Sequence, residues 1–454
     1  MRSQPSIKLL MRFLGIAFIF LLCSVSWAAE EADRVQRAQE SLDKALTFMK
    51  TLQRNGGWAM AWTADQSITY GESRIQPAEI IVVQPPATPS IGSLYLRAYE
   101  IAQATEYLET ALAAGDALLA GQNKWGGFPH EYLPGQSRNM RGTYDDGVTQ
   151  GATRFFVDLW QKTKEDRFAD GAKRCGKFMV DSQYENGGWP QAAPAAAGYS
   201  RYITLNDGAM MDVIRALFIL YHTFDDKRFY DAALRGADCL LSLQGKPPQA
   251  VWAQQYTVEG DPAPARKFEP AAYSASESMG VLRVLLEVYK ETGDKKYLQA
   301  GPPAFAWYKQ SRLPNGKWAR LYELRSNRPI YSTEDRKVIY EVEKARKGYG
   351  WQGGYFDSSV EELYAKLLAA PEEKRMELMP AKSLSSAEKL WPKAEIAIIS
   401  LDEQGRWLSD LNGSREDFYL EAGGKDKEMM QIDSKIFVRN ASALLDFLQA
   451  SKQP

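Results

Sequence analysis

Apolar residues along most of the chain recur three and four positions apart, the spacing that lines one face of an α-helix. Met210 to Thr223 is the plainest case: Val213, Ile214, Leu217, Phe218 and Leu220 share a stripe, and the segment reads as a core helix. A second class of helix starts on a polar cap followed by an aromatic, at Thr105-Glu106-Tyr107-Leu108, Asp166-Arg167-Phe168, Asp226-Lys227-Arg228-Phe229 and Asp294-Lys295-Lys296-Tyr297-Leu298. These runs end in a recurring phrase. Phe168 to Val180 leads into Gln183-Tyr184-Glu185-Asn186-Gly187-Gly188-Trp189-Pro190-Gln191, the fullest copy. Shorter copies are Gln53 with Asn55-Gly56-Gly57-Trp58, Gln122 with Trp125-Gly126-Gly127-Phe128-Pro129, Gln244 with Trp252, and Gln310 with Asn315-Gly316-Lys317-Trp318. The glutamines lie 61 to 69 residues apart, the length of one helical hairpin, and the glycines suit a helix C-cap and a sharp turn. Hairpins that repeat this regularly bury their faces on one another. The pattern predicts an all-α ring whose glutamine loops, rich in Trp, Tyr, Pro and Gly, gather on one face as the candidate site.

Residues 1–28 stand outside that pattern. Arg2, Lys8 and Arg12 flank the apolar run Phe13 to Leu22, and Ser26-Trp27-Ala28 offers the small residues a signal peptidase reads, so an export signal cleaved near Ala28 is expected. Leu22 is too large for a lipobox before Cys23, which favours soluble release over a lipid anchor. A secreted or periplasmic protein is therefore expected, with residues 29–454 as a single toroid domain acting as a monomer. No later apolar stretch reaches the ~20 residues that span a bilayer, so no membrane association is expected after cleavage. Cys175 and Cys239 fall at equivalent repeat positions and read as small buried helix residues rather than a disulfide. A net charge of −1 with no basic block argues against nucleic acid as a partner.

The rarity of histidine narrows the chemistry. Only His130 and His222 occur, and no Cys/His spacing for zinc is present, so a histidine-centred mechanism is not expected. His222 reads as packed core; His130, on the loop after Phe128-Pro129, reads equally as structure or as a substrate contact. Acids are better placed. Thr143-Tyr144-Asp145-Asp146-Gly147-Val148-Thr149 and Thr204-Leu205-Asn206-Asp207-Gly208-Ala209-Met210 each set a carboxylate at the mouth of a helix, where N-capping is the ordinary role and cation binding or catalysis the functional one. Trp58, Trp189 and Trp252 occupy repeat-equivalent positions and read chiefly as packing. Tyr202, Tyr349 and Trp351 lie outside that equivalence and are better placed to meet a saccharide.

In order and rough spacing, several segments resemble the pectate lyases of polysaccharide lyase family 10. They are Asn186 to Gln191, Ile203 to Met210, Ala265-Arg266-Lys267-Phe268-Glu269-Pro270, Ser276-Glu277-Ser278, Trp318 to Glu323, Asn327-Arg328-Pro329-Ile330, Gly348-Tyr349-Gly350-Trp351 and Ser434 to Asn440. The resemblance implies the family's (α/α)3 barrel with an open central groove, and calcium-assisted β-elimination of polygalacturonate to 4,5-unsaturated oligogalacturonides. It places Arg266 as the base that takes the C5 proton, with Asp145 and Asp207 beside it, and Asp145, Asp146 and Asp207 as holders of Ca²⁺. It places Arg320 on a substrate carboxylate, and adds Trp189, Gln191, Asn206, Tyr202, Glu277, Arg336 and Trp351 as substrate contacts. An ion pair with Glu269 or a clamp on substrate is the alternative for Arg266, and an ion pair with Glu323 that for Arg320. Where the family reads Phe-Ser-Gly-Arg-Asp-Gly, this chain has Tyr331-Ser332-Thr333-Glu334-Asp335-Arg336, so Glu334 replaces a substrate-binding arginine and Arg336 is the cation to fill the gap.

Other readings stay open at this level. The glutamine to Gly-Trp repeats also resemble the QW motifs of triterpene cyclases, but those need Asp-x-Asp-Asp where residues 143–146 read Thr-Tyr-Asp-Asp, and an exported chain has no access to squalene. Inverting hydrolysis of an acidic polysaccharide by Asp145 and Asp207 needs carboxyls about 6.5 to 9.5 Å apart and no calcium. A non-catalytic uronate-binding protein on a lyase scaffold is motivated by Glu334.

Overall fold

Each repeat couples an outer helix to an inner one, in all but the last through a glutamine loop. A computed structural model describes residues 30–372, 374, 386–411, 413–425 and 429–452; the expected export signal lies outside them. Among the described residues six outer–inner pairs follow one another. They are α1 (30–51) with α2 (Thr88–Ala102), α3 (Thr105–Gly121) with α4 (Val148–Thr163), and α5 (Asp166–Asp181) with α6 (Ala209–Phe224). Then come α7 (Lys227–Ser242) with α8 (Ala275–Thr292), α9 (Gly301–Gln310) with α10 (Ser358–Ala369), and α11 (Ala387–Ile399) with α13 (Ser434–Ser451), the short α12 (Ser414–Glu421) intervening in the last. Inner helices pack side by side in the order α13, α2, α4, α6, α8, α10, while α3, α5 and α7 neighbour one another outside them. The main hydrophobic core runs from Ala38 to Leu448, and Ala61, Tyr70, Leu411 and Tyr419 form a small second cluster. The expected (α/α) toroid is present, and it continues beyond three hairpins. No helix among the described residues is long and apolar enough to cross a membrane.

The repeated glutamine is a strap between neighbouring hairpins. Gln183 Nε2 donates to Gly187 O in its own loop and to Ala232 O in the next outer helix, both at 2.9 Å. Gln53 reaches Gly56 O and Thr110 O, Gln122 reaches Gly126 O and Gly171 O, and Gln244 reaches Ala250 O and Ala300 O in the same way. The glycine beside it has to be glycine: Gly187 has φ +89°, and a Cβ there would sit 2.2 Å from the Arg235 carbonyl. The tryptophan closes the loop backwards, Trp189 Nε1 donating to Met179 O of α5 at 2.7 Å, as Trp58, Trp252 and Trp318 do to Met49, Leu240 and Tyr308. Trp407 does the same to Ala397 O, and Gly405, at φ +85°, seats against the Lys44 carbonyl of α1. Residues 402–407 are thus a sixth copy whose loop docks on the first outer helix and closes the ring. Its Gln404 stands directly before Gly405 and no glutamine occupies the strap position three or four residues ahead, which is why the sequence pattern passes over it.

Replacing Gln183 by Ala removes both strap hydrogen bonds and the two that its Oε1 accepts from the exposed Arg235, leaves two carbonyls without this donor, and is expected to cost about 2 kcal/mol in chemical denaturation. Gln310→Ala, at an exposed side chain, is expected to cost almost nothing.

Two details differ from the sequence reading. Asp294 does cap, accepting from Lys296 N at 3.0 Å, but the turn it starts is only 3₁₀ (Lys295–Leu298), because Gly301-Pro302-Pro303 restarts the helix as α9. His222 is exposed beside Glu291 at 2.9 Å rather than packed in the core. Cys175 and Cys239 are buried and unbonded, as read, and burial pushes both thiols up to about 12.

Two-residue strand pairs, too short to leave a periodic signal, stitch consecutive loops along one rim of the ring. Ile81–Val82 pairs with Glu131–Tyr132, Gly142–Thr143 with Ala192–Ala193, Ile203–Thr204 with Gln255–Tyr256, and Tyr273–Ser274 with Leu321–Tyr322.

Candidate active site

The rim is built by a positional rule. Two residues after four of the aromatic anchors the chain presents a polar side chain, His130 after Phe128, Gln191 after Trp189, Gln254 after Trp252 and Arg320 after Trp318, whereas Trp58 is followed by Met60. The backbone of each is pinned to the neighbouring loop, for example Tyr144 N to Gln191 O, Leu205 N to Gln254 O and Ala275 N to Arg320 O. These four side chains meet the residues at the mouths of the inner helices.

Two of those mouths carry matching 3₁₀ turns, Asp145–Gly147 before α4 and Asn206–Gly208 before α6. Their middle residues are left-handed, Asp146 at φ 49° and Asp207 at φ 50°, a conformation that costs an L-residue roughly 1–2 kcal/mol and collects at functional sites. Neither α4 nor α6 has a side-chain N-cap bond, so these acids are not acting as caps. The superimposed turns match Asp146 with Asp207 and Asp145 with Asn206.

Asp145 Oδ2 accepts from Gln191 Nε2 at 2.8 Å and lies 3.9 Å from His130 Nε2, while its Oδ1 is buried with no hydrogen-bond partner. Asp146 Oδ2 accepts from Gln84 Nε2 at 3.0 Å, and Asp207 accepts from Asn206 Nδ2. Burial, then Asp145 and Asp207, push the Asp146 carboxyl up to about 6; burial, then Asp145 and Glu277, raise that of Asp207. Burial and neighbouring acids therefore hold Asp146 and Asp207 in an unfavourable state that a cation would relieve, and Asp145 Oδ1 has a lone pair to give. An all-oxygen donor set fits a hard cation such as Ca²⁺. The carboxylates of Asp145, Asp146 and Asp207 do not close on a common point, however. Among the described residues the trio within 4.8 Å of one another is Glu72, His130 and Asp146, whose imidazole nitrogen suits calcium less well.

The raised Asp146 carboxyl has a consequence for stability. An acid whose carboxyl is raised on folding binds its proton more tightly folded than unfolded, so it favours the fold at low pH, and that contribution is lost as pH climbs from 3.8 through about 6. In calcium-free buffer Asp146→Asn is expected to be more stable than the unsubstituted protein above pH 6, the gap closing on acidification. Denaturation midpoints across pH check this, and a pH-independent gap would contradict it.

Opposite the acids stand arginines. Arg320 Nη2 donates to Glu277 Oε1 at 2.9 Å and to Asn206 Oδ1 at 3.4 Å, so Asn206 touches both the acidic turn and the cation. Burial works to lower the Arg320 guanidinium, but Glu277 and then Tyr349 outweigh it and hold it above its ordinary value. Arg266 is clamped by Glu269, Nε to Oε2 at 2.8 Å and Nη2 to Oε1 at 2.6 Å. That bidentate pair, with Glu269 only 2% exposed, raises the Arg266 guanidinium further above its already high value.

Residues 133–317, which contain α4 to α9, match the family model described as pectic acid lyase. The solved family 10 polysaccharide lyase from Cellvibrio cellulosa is similar: 25% identical, TM-score 0.51, covering 62% of this chain and 96% of that one. A mutant of the lyase from the same organism, in complex with trigalacturonic acid, is also 25% identical with TM-score 0.51, covering 62% of this chain and 97% of that one. The chain has the fold of the family 10 polysaccharide lyases. It is longer than those solved relatives, and four of its six outer–inner units straddle or lie outside the matched residues. No curated protein matches it.

On this lyase-like fold most of the expected site residues do converge: Asp145, Asp146, Asp207, Asn206, Gln191, Glu277, Arg320 and Arg266. Three do not behave as expected. Trp189 is 1% exposed with its N–H spent on Met179, and Gly236 lies against its ring, so it packs the hairpin and has no face for a sugar. Trp351 is 5% exposed and its indole N–H supports the Arg346 carbonyl beneath Tyr349. Arg336 stands on an exposed turn at φ +67°, held by the Thr333 to Lys337 backbone bond, and makes no hydrogen bond to the site. Tyr202 sits half-buried on the rim with Arg201 over its ring, and Arg320 pairs with Glu277, not Glu323. The ion pair of Arg266 with Glu269, read as its structural alternative, is present, while Glu72, Gln84, Gln254 and Arg346 were not singled out from sequence. Gln254 was findable from the residue two after Trp252; the others carry no such mark.

Proposed function

We propose that the protein is a secreted pectate lyase that cleaves polygalacturonate, an acidic polysaccharide, by β-elimination to unsaturated oligogalacturonides. The observation that carries the reading is one rim on which a carboxylate cluster and a row of arginines face each other, joined through Asn206. A uronate polymer needs both: cations for its carboxylates, and acids to hold a further cation. Asp145 and Asp207, with Asp146, would hold Ca²⁺; once bound, it neutralises the uronate carboxylate and so makes the neighbouring C5–H more acidic. Arg320, fixed by Glu277 and stacked 5.1 Å from the Tyr349 ring centroid, binds a substrate carboxylate. Arg266 takes the C5 proton, and the leaving glycosidic oxygen departs as the C4–C5 double bond forms.

Deprotonating a guanidinium costs roughly 5 kcal/mol near pH 9, and the Glu269 pair adds to that cost. An alkaline optimum follows. Glu269→Gln keeps, on its one carbonyl oxygen, the bonds from Arg266 Nη2 and Tyr349 OH, gives up the two that Arg266 N and Nε donate to Oε2, and removes the charge that holds Arg266 protonated. It is expected to move the acidic limb of the kcat/KM profile about one pH unit downwards.

Export rests on the reading of residues 1–28, and a single 29–454 domain acting as a monomer goes with it. Hydrolysis is the competing reaction, favoured by the raised Asp146 and Asp207 carboxyls, since a protonated acid is what a hydrolase requires. Mass spectrometry of the products separates the two: elimination fragments sum to the mass of the polymer, whereas hydrolytic fragments gain one water per cut. Fragments carrying that water would overturn the lyase reading.

A further inference from the structure

Segment 333–350 carries a third guanidinium into the row. Arg346 Cζ lies 4.3 Å from the centroid of the Phe268 ring, the ring that Arg266 Cζ also approaches at 5.0 Å. Phe268 meets Tyr349 edge to face at 5.2 Å, and Tyr349 in turn has Arg320 Cζ at 5.1 Å. The order Arg346, Phe268, Arg266, Tyr349, Arg320 is therefore a single file of three cations spaced by two aromatic rings. The segment that places Arg346 is fixed at its backbone: Arg346 N donates to Ser332 O at 2.8 Å, Trp351 Nε1 donates to Arg346 O at 2.9 Å, and Arg320 N donates to Trp351 O at 2.7 Å.

The three cations differ in what neutralises them. Arg266 and Arg320 each face a buried carboxylate, Glu269 at 2% and Glu277 at 3% exposure. Arg346 is 40% exposed and its acid, Glu334, is 70% exposed and 3.6 Å away, a solvent-screened pair of little worth. Glu334 also accepts from Lys347 N, which keeps it at the loop. A planar fork with five donors, aimed by a ring and weakly paired, suits a carboxylate ligand bidentately.

We infer that Arg346 binds the carboxylate of a second uronate unit, beyond the one held by Arg320, with Glu334 occupying its guanidinium until the polymer arrives. The inference rests on the uronate-polymer reading above. It also relocates the cation expected at Arg336: the chain supplies it ten residues later, on the same loop.

The test measures trigalacturonic acid binding by calorimetry and polygalacturonate kinetics for the unsubstituted protein, Arg346→Ala, Arg346→Lys and Glu334→Gln. Because the backbone of Arg346 makes the structural bonds, Arg346→Ala is expected to keep its melting temperature. It is expected to raise Kd and KM about tenfold with kcat within about twofold. Arg346→Lys recovers part of the loss, and Glu334→Gln tightens binding. With methyl-esterified oligomer, which has no carboxylate to offer, the unsubstituted protein and Arg346→Ala are expected to bind alike. Equal Kd and KM in Arg346→Ala on the unesterified ligand, or an equal loss on both ligands, overturns the inference and leaves the lyase reading standing. If the unsubstituted protein neither binds nor cleaves, the lyase reading falls and this inference with it.

Discussion

Arg266→Ala is expected to lower kcat for unsaturated-product formation by roughly 10²–10⁴-fold, the range for loss of a positioned general base. KM is expected to change far less, because Arg320 remains, held by Glu277, to grip the substrate. The substitution also strips Glu269 of its cation; that carboxylate is 2% exposed and keeps only Tyr349 OH, at 2.7 Å, from the present side-chain set. Some stability is therefore lost alongside activity. Arg266→Lys supplies the control: it returns a cation to Glu269, so its melting temperature is expected to recover while the planar two-point geometry does not. Loss of kcat in both variants, with loss of stability only in the alanine form, assigns the effect to chemistry. Comparable kcat in Arg266→Ala and the unsubstituted protein would remove Arg266 from the reaction.

Asp207→Asn is expected to reduce kcat about a hundredfold and to raise the calcium needed for half-maximal rate. Asparagine is the informative replacement, because Asp207 sits at φ 50° and Asn tolerates that left-handed backbone where Ala does not. Alanine would mix lost charge with a strained turn. The variant keeps the turn and loses the anion, so a fall in both rate and calcium affinity measures the charge alone. Calcium titrations of the initial rate check it, and an unchanged calcium requirement would place the cation elsewhere, the Glu72, His130 and Asp146 trio being the next candidate.

The ring was legible because its repeat has a mechanical cause. A glutamine that must strap two hairpins, a glycine whose position leaves no room for a Cβ beside a carbonyl and a tryptophan that must close onto its own helix leave residue-type marks at fixed offsets. Where the strap is missing, at residues 402–407, the repeat is present in three dimensions and nearly silent in sequence. The acidic turns at Asp145 and Asp207 were visible as helix mouths, but their left-handed middles, and so the match of Asp146 with Asp207, belong to the backbone. Trp351 was the misleading residue, looking like a sugar platform and proving a buried support, whereas the repeat position of Trp189 marks it as packing and only the family resemblance makes it a substrate contact. Arg346 was invisible for the opposite reason. Its role comes from a ring, Phe268, that lies 78 positions earlier in the chain, and no local spacing records that meeting.

The most direct test of the central claim is the ultraviolet absorbance of unsaturated uronide released from polygalacturonate at alkaline pH by residues 29–454, with calcium and with chelator. The account predicts a steady rise with calcium, abolished by chelator and by Arg266→Ala. New reducing ends without any rise in absorbance, or a rise that persists in chelator and in Asp207→Asn, would contradict it.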